Sequence, residues 1–364
     1  MPSVIDLMRE NLYDRLIQNE AAPSYRVRIR SYPPDSMKIL SKGFVLLIGL
    51  AAIATSLVVH PVFSAGSEAV GKSDQPRYRF FVITHATAVP FFVPVRKGAE
   101  DAGKMVGADV TYTGPAGFDI EKQVDFIKSA IAEKVDGIAT TMPDPSAFND
   151  VVKEAMSRGI PVIAVNADAP ASGRLAYIGQ GNYEAGVSMG NQILKYVPDG
   201  GHVLLCIHTA GAENLEARIK GVKDVLDKQG GKYSYRVVAT GTDMVRAVSL
   251  ISSALQADPS IKGMFGVEDV TGSAIAQIID RDNLKGKVAG GSFDLVADVL
   301  NAIEKGEMQF TIDQQPYLQG FQSVINLYLL KRYNLTPTDI NTGIAPVTQE
   351  NVAKVKGLAA QGYR

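Results

Sequence analysis

From Tyr78 onward, short runs rich in β-branched and aromatic residues alternate with longer stretches that carry apolar residues at helical spacing. Strands that alternate with helices in this way form parallel sheets with helices on both faces. The predicted strands are Tyr78–Thr84, Asp109–Tyr112, Gly137–Thr141, Pro161–Val165, His202–His208, Tyr235–Thr240, Gly263–Val267, Val288–Ser292 and Gln309–Ile312. The fold class is therefore α/β.

The strands and helices fall into two successive series, each long enough to build its own sheet. The first series ends near Gln180, and the second begins with a buried strand at His202. We therefore expect two doubly wound, Rossmann-like lobes. The predicted helices are Val95–Val106, Ile120–Glu133, Ala147–Arg158, Tyr183–Tyr196, Asn214–Lys228, Arg246–Ala257, Ser273–Asp280, Leu295–Lys305 and Leu318–Tyr333.

The composition narrows the class of protein. Of the 364 residues, 46% are apolar and 21% are charged, which is the balance of a folded globular chain. The 37 Lys and Arg residues nearly cancel the 38 Asp and Glu residues, and no basic run is interleaved with aromatic residues, which argues against nucleic acid as a partner. The single cysteine, Cys206, lies in an apolar strand, so we expect a buried, unreactive thiol.

The N-terminal part of the chain has the layout of an export signal. Lysines follow Met37, an apolar run extends from about residue 44 to 59, and Pro61 and small residues come next. We interpret residues 37–65 as a cleavable signal peptide, with an uncleaved membrane anchor as the alternative. Residues 1–36 are then an extension that precedes the true start. The predicted location is the periplasm.

Motifs for catalysis, metals and cofactors are weak or misplaced. Residues 66–73 match the spacing of a phosphate-binding loop, but a cleavage region precedes them and Asp74-Gln75-Pro76 follows, so the required strand and helix are missing. The glycines at 179 and 181 begin a dinucleotide fingerprint that Glu184 interrupts. The histidines show no metal-ligand spacing, and no nucleophile elbow occurs. We predict no enzyme activity, no cofactor and no metal.

The predicted strands end in polar residues, and ligands of open parallel sheets bind beyond those ends. Hydroxyl, amide and carboxylate groups at two facing sheets would suit a hydroxyl-rich ligand. In the first half these residues are Thr84, His85, Thr140, Thr141, Asn166 and Asp168. In the second half they are His208, Thr209, Thr242, Asp243, Glu268, Asp269, Phe293, Asp294, Asp313, Gln314 and Gln315.

Several segments together resemble the periplasmic sugar-binding family that includes the ribose-, galactose- and autoinducer-2-binding proteins. The resemblance runs from Tyr78 to about Val352. It implies a type I periplasmic binding protein, with two lobes joined by a three-strand hinge. The N-terminal lobe would comprise residues 76–180 plus 315–343, and the C-terminal lobe 181–314 plus 344–364. The segments that carry it are 90–98, 159–166, Arg218–Gly221, Phe293-Asp294 and Asp313–Gly320.

The same resemblance implies ligand contacts in the N-terminal lobe. Phe91 and Phe92 would place aromatic rings against a sugar, or else pack in the core. His85 and Thr87 are the nearby polar candidates. Asn166 and Asp168 occupy the place of a family Asp-Arg pair whose arginine is replaced here by Ala167, which argues against ribose.

Further contacts are implied around the second sheet. Arg218 would donate to sugar oxygens, with a surface salt bridge as the alternative. Glu268 or Asp269 and the pair Phe293-Asp294 would accept hydroxyl hydrogen bonds, and Gln314 would bond the ligand at a crossing between the lobes.

These features predict a monomeric, periplasmic solute-binding component of an ABC importer. It would bind a small neutral sugar or polyol by hinge closure and present it to the membrane permease subunits. The main alternative is a sugar sensor that docks on a chemoreceptor or sensor kinase. A sugar-responsive transcription regulator would need a helix-turn-helix where the export signal lies. An α/β enzyme acting on a sugar or nucleotide would need catalytic groups that the sequence does not supply.

Overall fold

Two six-stranded sheets organise the computed structural model, which describes residues 77–364. The predicted extension at 1–36 and signal peptide at 37–65 lie outside these residues. The first sheet has the order β11-β5-β4-β3-β1-β2, and all of its pairings are parallel. Its strands are β1 (Arg79–Ile83), β2 (Asp109–Thr113), β3 (Gly137–Thr140), β4 (Val162–Val165), β5 (Ala176–Gly179) and β11 (Ile340–Asn341).

The second sheet has the order β12-β10-β9-β8-β6-β7 and is parallel except for its last strand, β12, which runs antiparallel to β10. Its strands are β6 (Gly201–Ile207), β7 (Tyr233–Ala239), β8 (Ile261–Gly266), β9 (Ala289–Phe293), β10 (Phe310–Asp313) and β12 (Ala345–Thr348). The predicted α/β class with two doubly wound sheets is confirmed.

Helices cover both faces of each sheet, and two buried apolar clusters flank each sheet accordingly. The helices of the described chain are α1 (Phe92–Val106), α2 (Ile120–Ala132), α3 (Pro145–Ser157), α4 (Asn182–Tyr196), α5 (Glu213–Asp227), α6 (Met244–Ala257), α7 (Asp269–Arg281), α8 (Ala297–Glu304), α9 (Pro316–Tyr333) and α10 (Val352–Ala360). None of these helices is both long and apolar enough to cross a membrane. Cys206 is buried, as predicted, and burial raises the pKa of its thiol.

The chain passes between the two sheets three times: after β5, after β10 and after β11. As a result, α9 and β11 join the first sheet although they follow the whole second series. Three connections side by side form the expected hinge. The sequence analysis does not predict β5, β11, β12 or α10, and β11, with two residues, is too short to show a period.

Glycines bring α9 into backbone contact with α1. A Cβ atom on Gly98 would lie 2.0 Å from the carbonyl oxygen of Tyr317, and one on Gly320 would lie 1.9 Å from that of Val95. Neither position has room for a side chain. This close packing fixes α1, whose N-terminus borders the cleft, to the helix that follows the second crossing.

Candidate functional site

A cavity of about 380 Å³ lies between the two lobes, at the carboxyl ends of both sheets. Loops that follow strands of both sheets form its walls, as expected for open α/β sheets. Nine of the predicted site residues line it: His85, Phe91, Phe92, Asn166, Arg218, Glu268, Asp269, Asp294 and Gln314. The cleft is therefore built largely from strand ends that are far apart in the sequence.

Three phenylalanines form an aromatic wall on the first lobe. Phe91 and Phe92, at the start of α1, meet edge to face with their ring centroids 5.0 Å apart. His85 lies 5.0 Å from the ring of Phe92 and 5.2 Å from that of Phe118, both also edge to face. Phe91 and Phe92 are only 8% and 2% exposed, so they serve both the cavity wall and the local core. An apolar wall of this kind suits the C–H face of a ring.

His85 lies beside this wall and is held by Thr141. The backbone N–H of His85 donates to the Thr141 hydroxyl at 3.0 Å, and its Nδ1 lies 2.9 Å from the same oxygen. Burial lowers the pKa of His85 to about 3, and the nearby His208 lowers it further. The imidazole is therefore neutral at physiological pH, and because Nδ1 is paired with Thr141, Nε2 is the ring nitrogen that remains for a ligand.

Arg218 projects from α5 and is 1% exposed, so it is not part of a surface salt bridge. Its Nε donates to Asn182 Oδ1 at 3.1 Å, and its Nη1 donates to the carbonyl oxygen of Val267 at 2.8 Å. Its Nη2 donates to Gln314 Oε1 at 3.1 Å, and the guanidinium lies 4.2 Å from the ring centroid of Phe293. Burial lowers the pKa of Arg218, while the charge on Asp294 opposes that shift. The side chain is fixed before any ligand arrives.

Gln314 connects three strand ends at the second crossing. Its Nε2 donates to Asp294 Oδ1 at 2.6 Å, and its Oε1 accepts from Asn166 Nδ2 at 3.3 Å as well as from Arg218. Asn166 and Asp294 have φ angles of 66° and 70°, and Gln315 has 54°. This left-handed conformation is unfavourable for residues other than glycine, and such strain clusters at functional sites.

Glu268 and Asp269 begin α7 at the edge of the cavity. Glu268 Oε2 accepts from the N–H groups of Val270 at 2.7 Å and Thr271 at 3.2 Å, and the Thr271 hydroxyl donates to Oε1. Asp269 Oδ1 accepts from the N–H of Val270 at 2.9 Å. Glu268 is therefore the N-cap of the helix as well as part of the cavity wall.

The pKa values of Asp269 and Asp294 are both raised. Burial raises the pKa of Asp269 to about 6, and repulsion by Glu268 contributes. Burial raises the pKa of Asp294 to about 7, with Asp269 and Glu268 adding to the shift and Arg218 opposing it. Potential ligand atoms of His208, Glu268 and Asp269 lie within 4.8 Å of one another. A metal there would compete with the N-cap bonds of Glu268, so this set fits a metal poorly.

Three predicted site residues do not line the cavity. Thr87 donates its hydroxyl to the carbonyl oxygen of Pro115 at 3.1 Å and lies outside the cleft. Asp168 accepts two hydrogen bonds from Arg174, at 2.7 and 2.6 Å, which ties it to the next loop. Phe293 is fully buried beneath the guanidinium of Arg218.

The sequence reading also missed lining residues. His208 and Thr242 are polar strand ends outside the predicted site, whereas Phe118 lies in a loop and Asn214 in a first helical turn, where no sequence pattern distinguishes them. The sequence around Met244 indicates an ordinary apolar helix residue. All five line the cavity: Phe118, His208, Asn214, Thr242 and Met244.

The fold and the cleft define a class of two-lobe binding protein, and comparison with known families agrees. Residues 80–332 match the model of a periplasmic binding protein domain. The chain belongs to this family. The predicted resemblance to its sugar-binding members is confirmed.

The matches to relatives and to solved structures cover most of the chain. The xylose/arabinose-binding protein XylF of Sulfolobus acidocaldarius is 35% identical over 296 residues, which is 77% of this chain and 73% of the relative. An ABC transporter solute-binding protein from Burkholderia graminis, solved with D-arabinose, is 33% identical with a TM-score of 0.72, covering 75% of this chain and 96% of that one. These relatives are binding proteins and not enzymes, which confirms the prediction that this chain is not an enzyme.

A third comparison concerns a carbohydrate transporter from Acidothermus cellulolyticus, solved in complex with myo-inositol. It is 32% identical with a TM-score of 0.71, and the match covers 79% of this chain and 100% of that one. The similarity therefore spans both lobes and the crossings between them.

Proposed function

We propose that this protein is the solute-capturing component of an ABC importer and that it binds a small sugar or polyol in the cleft between its lobes. The observation that carries the proposal is the chain of contacts Arg218–Gln314–Asp294 at the cleft, with an aromatic wall opposite. Fixed carboxylate and guanidinium groups bind hydroxyls, and the rings contact the apolar face of the ligand. The cavity of about 380 Å³ suits a ligand of this size.

The known ligands of two similar proteins agree with this class. The Burkholderia graminis protein was solved with an aldopentose, D-arabinose, and the Acidothermus cellulolyticus protein with a cyclic polyol, myo-inositol. Both molecules are small and neutral and carry several hydroxyls. The neutral sugar or polyol expected from the strand ends is therefore the first class to test.

Closure of the hinge is the proposed mechanism. Besides the hinge contact between Asn166 and Gln314, the N–H of Glu213 on the second lobe donates to the carbonyl oxygen of Pro143 on the first, at 3.2 Å. A ligand that bonds His85 on one side and Asp294 on the other would favour the closed state by its differential affinity. The closed form is then what the permease subunits would recognise.

Export to the periplasm completes the proposal. The segment 37–65 is proposed to direct secretion and to be removed, which would leave the two-lobe protein in reach of the permease. Mass spectrometry of the protein recovered from a periplasmic extract would show the processed N-terminus. An intact N-terminus in the membrane fraction would contradict the proposed cleavage.

Thermal unfolding against a ligand panel tests the binding function. The panel contains pentoses, hexoses, inositols and linear polyols, with amino acids and nucleotides as negative classes. A ligand at one hundred times its Kd should stabilise the fold by about 2.7 kcal/mol. Asp294→Ala should abolish the shift, whereas Asp280→Asn on the exposed face of α7 should keep it. A panel in which no sugar or polyol raises the Tm would overturn the proposal.

A further inference from the structure

Four acidic side chains are buried in the described chain: Glu268, Asp269, Asp294 and Asp313. Asp313 is neutralised by Arg364, whose Nη1 lies 2.5 Å from its Oδ2. The other three line the cleft, and among residues 77–364 none of them has a Lys or Arg side chain within ion-pair distance. The nearest basic group is the imidazole of His208, 3.9 Å from Glu268.

Arg218 is the only Lys or Arg among the described residues that line this cavity, and it does not contact these carboxylates directly. Three of its N–H groups are occupied by Asn182, Val267 and Gln314, and it reaches Asp294 only through the amide of Gln314. His85 is neutral because of its burial. Within this cavity, three acidic groups therefore face one guanidinium, whereas Lys356 and Arg364 line an adjoining cavity that also reaches Asp269 and Asp294.

Two carboxylate oxygens remain without a donor from the described chain. Both oxygens of Glu268 are occupied at the start of α7, and one oxygen each of Asp269 and Asp294 accepts from the protein. The second oxygen, Oδ2, of Asp269 and of Asp294 accepts no hydrogen bond from residues 77–364. Each of these two side chains belongs to a residue that is only 5% exposed. Neither oxygen is enclosed in the protein interior, so both can be reached from the cavity, where a donor on the ligand can replace water.

We propose that the cleft binds a sugar or cyclitol carrying a protonated amino group more tightly than the same molecule with a hydroxyl in that place, the ammonium contacting Asp269 and Asp294. The inference rests on the proposed binding function and refines the ligand class beyond the neutral one. An ammonium has three donors and makes charge-assisted bonds to carboxylates. The phenylalanine rings that line the same cavity also favour a cation.

The raised pKa values of Asp269 and Asp294 agree with this arrangement, because they reflect burial and mutual repulsion without a neutralising cation in contact. A ligand ammonium would supply that cation and lower both pKa values. A neutral polyol would leave the excess negative charge in place.

Calorimetric titration of the purified protein at pH 7 with matched ligands tests the inference. The probes are D-glucose with D-glucosamine, D-galactose with D-galactosamine, and myo-inositol with an aminodeoxyinositol; the N-acetylated amino sugars remove the charge. We expect at least one amino member to bind about tenfold or more tightly than its parent. N-acetylation should abolish that advantage.

Two variants remove charge without removing the side chain. Asp269→Asn and Asp294→Asn should each reduce the affinity ratio between the amino ligand and its parent, and Asn tolerates the left-handed backbone at position 294. Asp280→Asn, on the exposed face of the same helix as Asp269, should leave the ratio unchanged. Thermal unfolding of each variant establishes that it is folded.

The outcomes separate this inference from the binding function. Neutral parents that bind as tightly as their amino partners in every pair would overturn the ammonium preference and leave the sugar-binding function standing. A preference that persists unchanged in both Asp variants would also overturn it. If no sugar, polyol or amino derivative binds, the binding function itself fails together with this inference.

Discussion

Gln314 links Arg218 and Asp294, which do not contact each other directly. Its Oε1 accepts a hydrogen bond from Arg218 at 3.1 Å, and its Nε2 donates one to Asp294 at 2.6 Å. Arg218 comes from α5, Asp294 follows β9, and Gln314 belongs to the second crossing between the lobes. The group that orients both charges is therefore part of the hinge. We therefore expect a change in the hinge strand to affect both binding groups.

Replacing Gln314 should lower both the stability of the fold and the affinity for the ligand. In Gln314→Leu, Arg218 and Asp294 each lose a buried hydrogen-bond partner, at about 1–3 kcal/mol per unsatisfied group. We expect a lower Tm and at least a tenfold weaker affinity for the ligand found in the panel, measured by thermal unfolding and calorimetry. Gln229→Leu, an exposed glutamine near the end of α5, is the control. Wild-type affinity in Gln314→Leu would contradict the linking role.

The raised pKa of Asp294 predicts a pH dependence of stability without ligand. The folded chain holds this proton up to about pH 7, whereas an unfolded aspartate loses it near pH 4. Between these values the folded state binds more protons, so the contribution of Asp294 stabilises at the acidic end and is lost as pH rises. His85, whose pKa is lowered to about 3, has the opposite slope over the overlapping range.

Subtracting the stability of a variant separates the contribution of Asp294 to the pH dependence from that of His85. The free energy of unfolding of the wild type minus that of Asp294→Asn should fall as pH rises from about 4 to 7, by at most about 1.4 kcal/mol per unit. Denaturant unfolding at several pH values measures it, and the slope from His85 cancels because both proteins contain it. A difference that is constant with pH would show that Asp294 titrates normally.

Asp168 should behave as a structural residue. Its carboxylate is engaged by Arg174, which also contacts Asp339 at 2.9 Å, so the cluster ties the loop after β4 to the segment before β11. Asp168→Asn should lower stability by about 1 kcal/mol and change ligand affinity less than threefold. Paired unfolding and calorimetry separate the two effects. A large loss of affinity at unchanged stability would restore Asp168 to the binding site.

The contact between α1 and α9 should tolerate no side chain at its glycines. Gly320→Ala places a methyl group against the backbone of Val95 and should cost about 1–3 kcal/mol or more. Gly357 lies in α10 with nothing within 4 Å of an added Cβ, so Gly357→Ala should be neutral or stabilising by up to about 1 kcal/mol. Thermal unfolding of the two variants compares them. Equal Tm values would show that the helices can separate at no cost.

The sequence predicted the two sheets well because their long strands and amphipathic helices have clear periods, and it found the cleft because strand ends of parallel sheets meet at one edge. Phe118 and Asn214 were not predicted, because no periodic sequence pattern marks a loop residue or a residue in the first turn of a helix as part of a site. Asp168 and Thr87 were predicted as ligand contacts, but a polar residue after a strand can instead form hydrogen bonds to a neighbouring loop, as both do here. Only the packed structure shows which carboxylates already have a partner.

The first lobe cannot complete its core when its own strands are synthesised. Its strands β1 to β5 emerge early, but Val324 and Leu327 of α9 are fully buried in the core that contains Phe80 and Val82. That core cannot be completed until α9 has been synthesised, and by then β6 to β10 of the second lobe have also been made. We expect a chain stopped after residue 313 to leave residues 77–180 sensitive to protease. If the chain is exported as proposed, such a delay would keep the first lobe unfolded while it crosses the membrane.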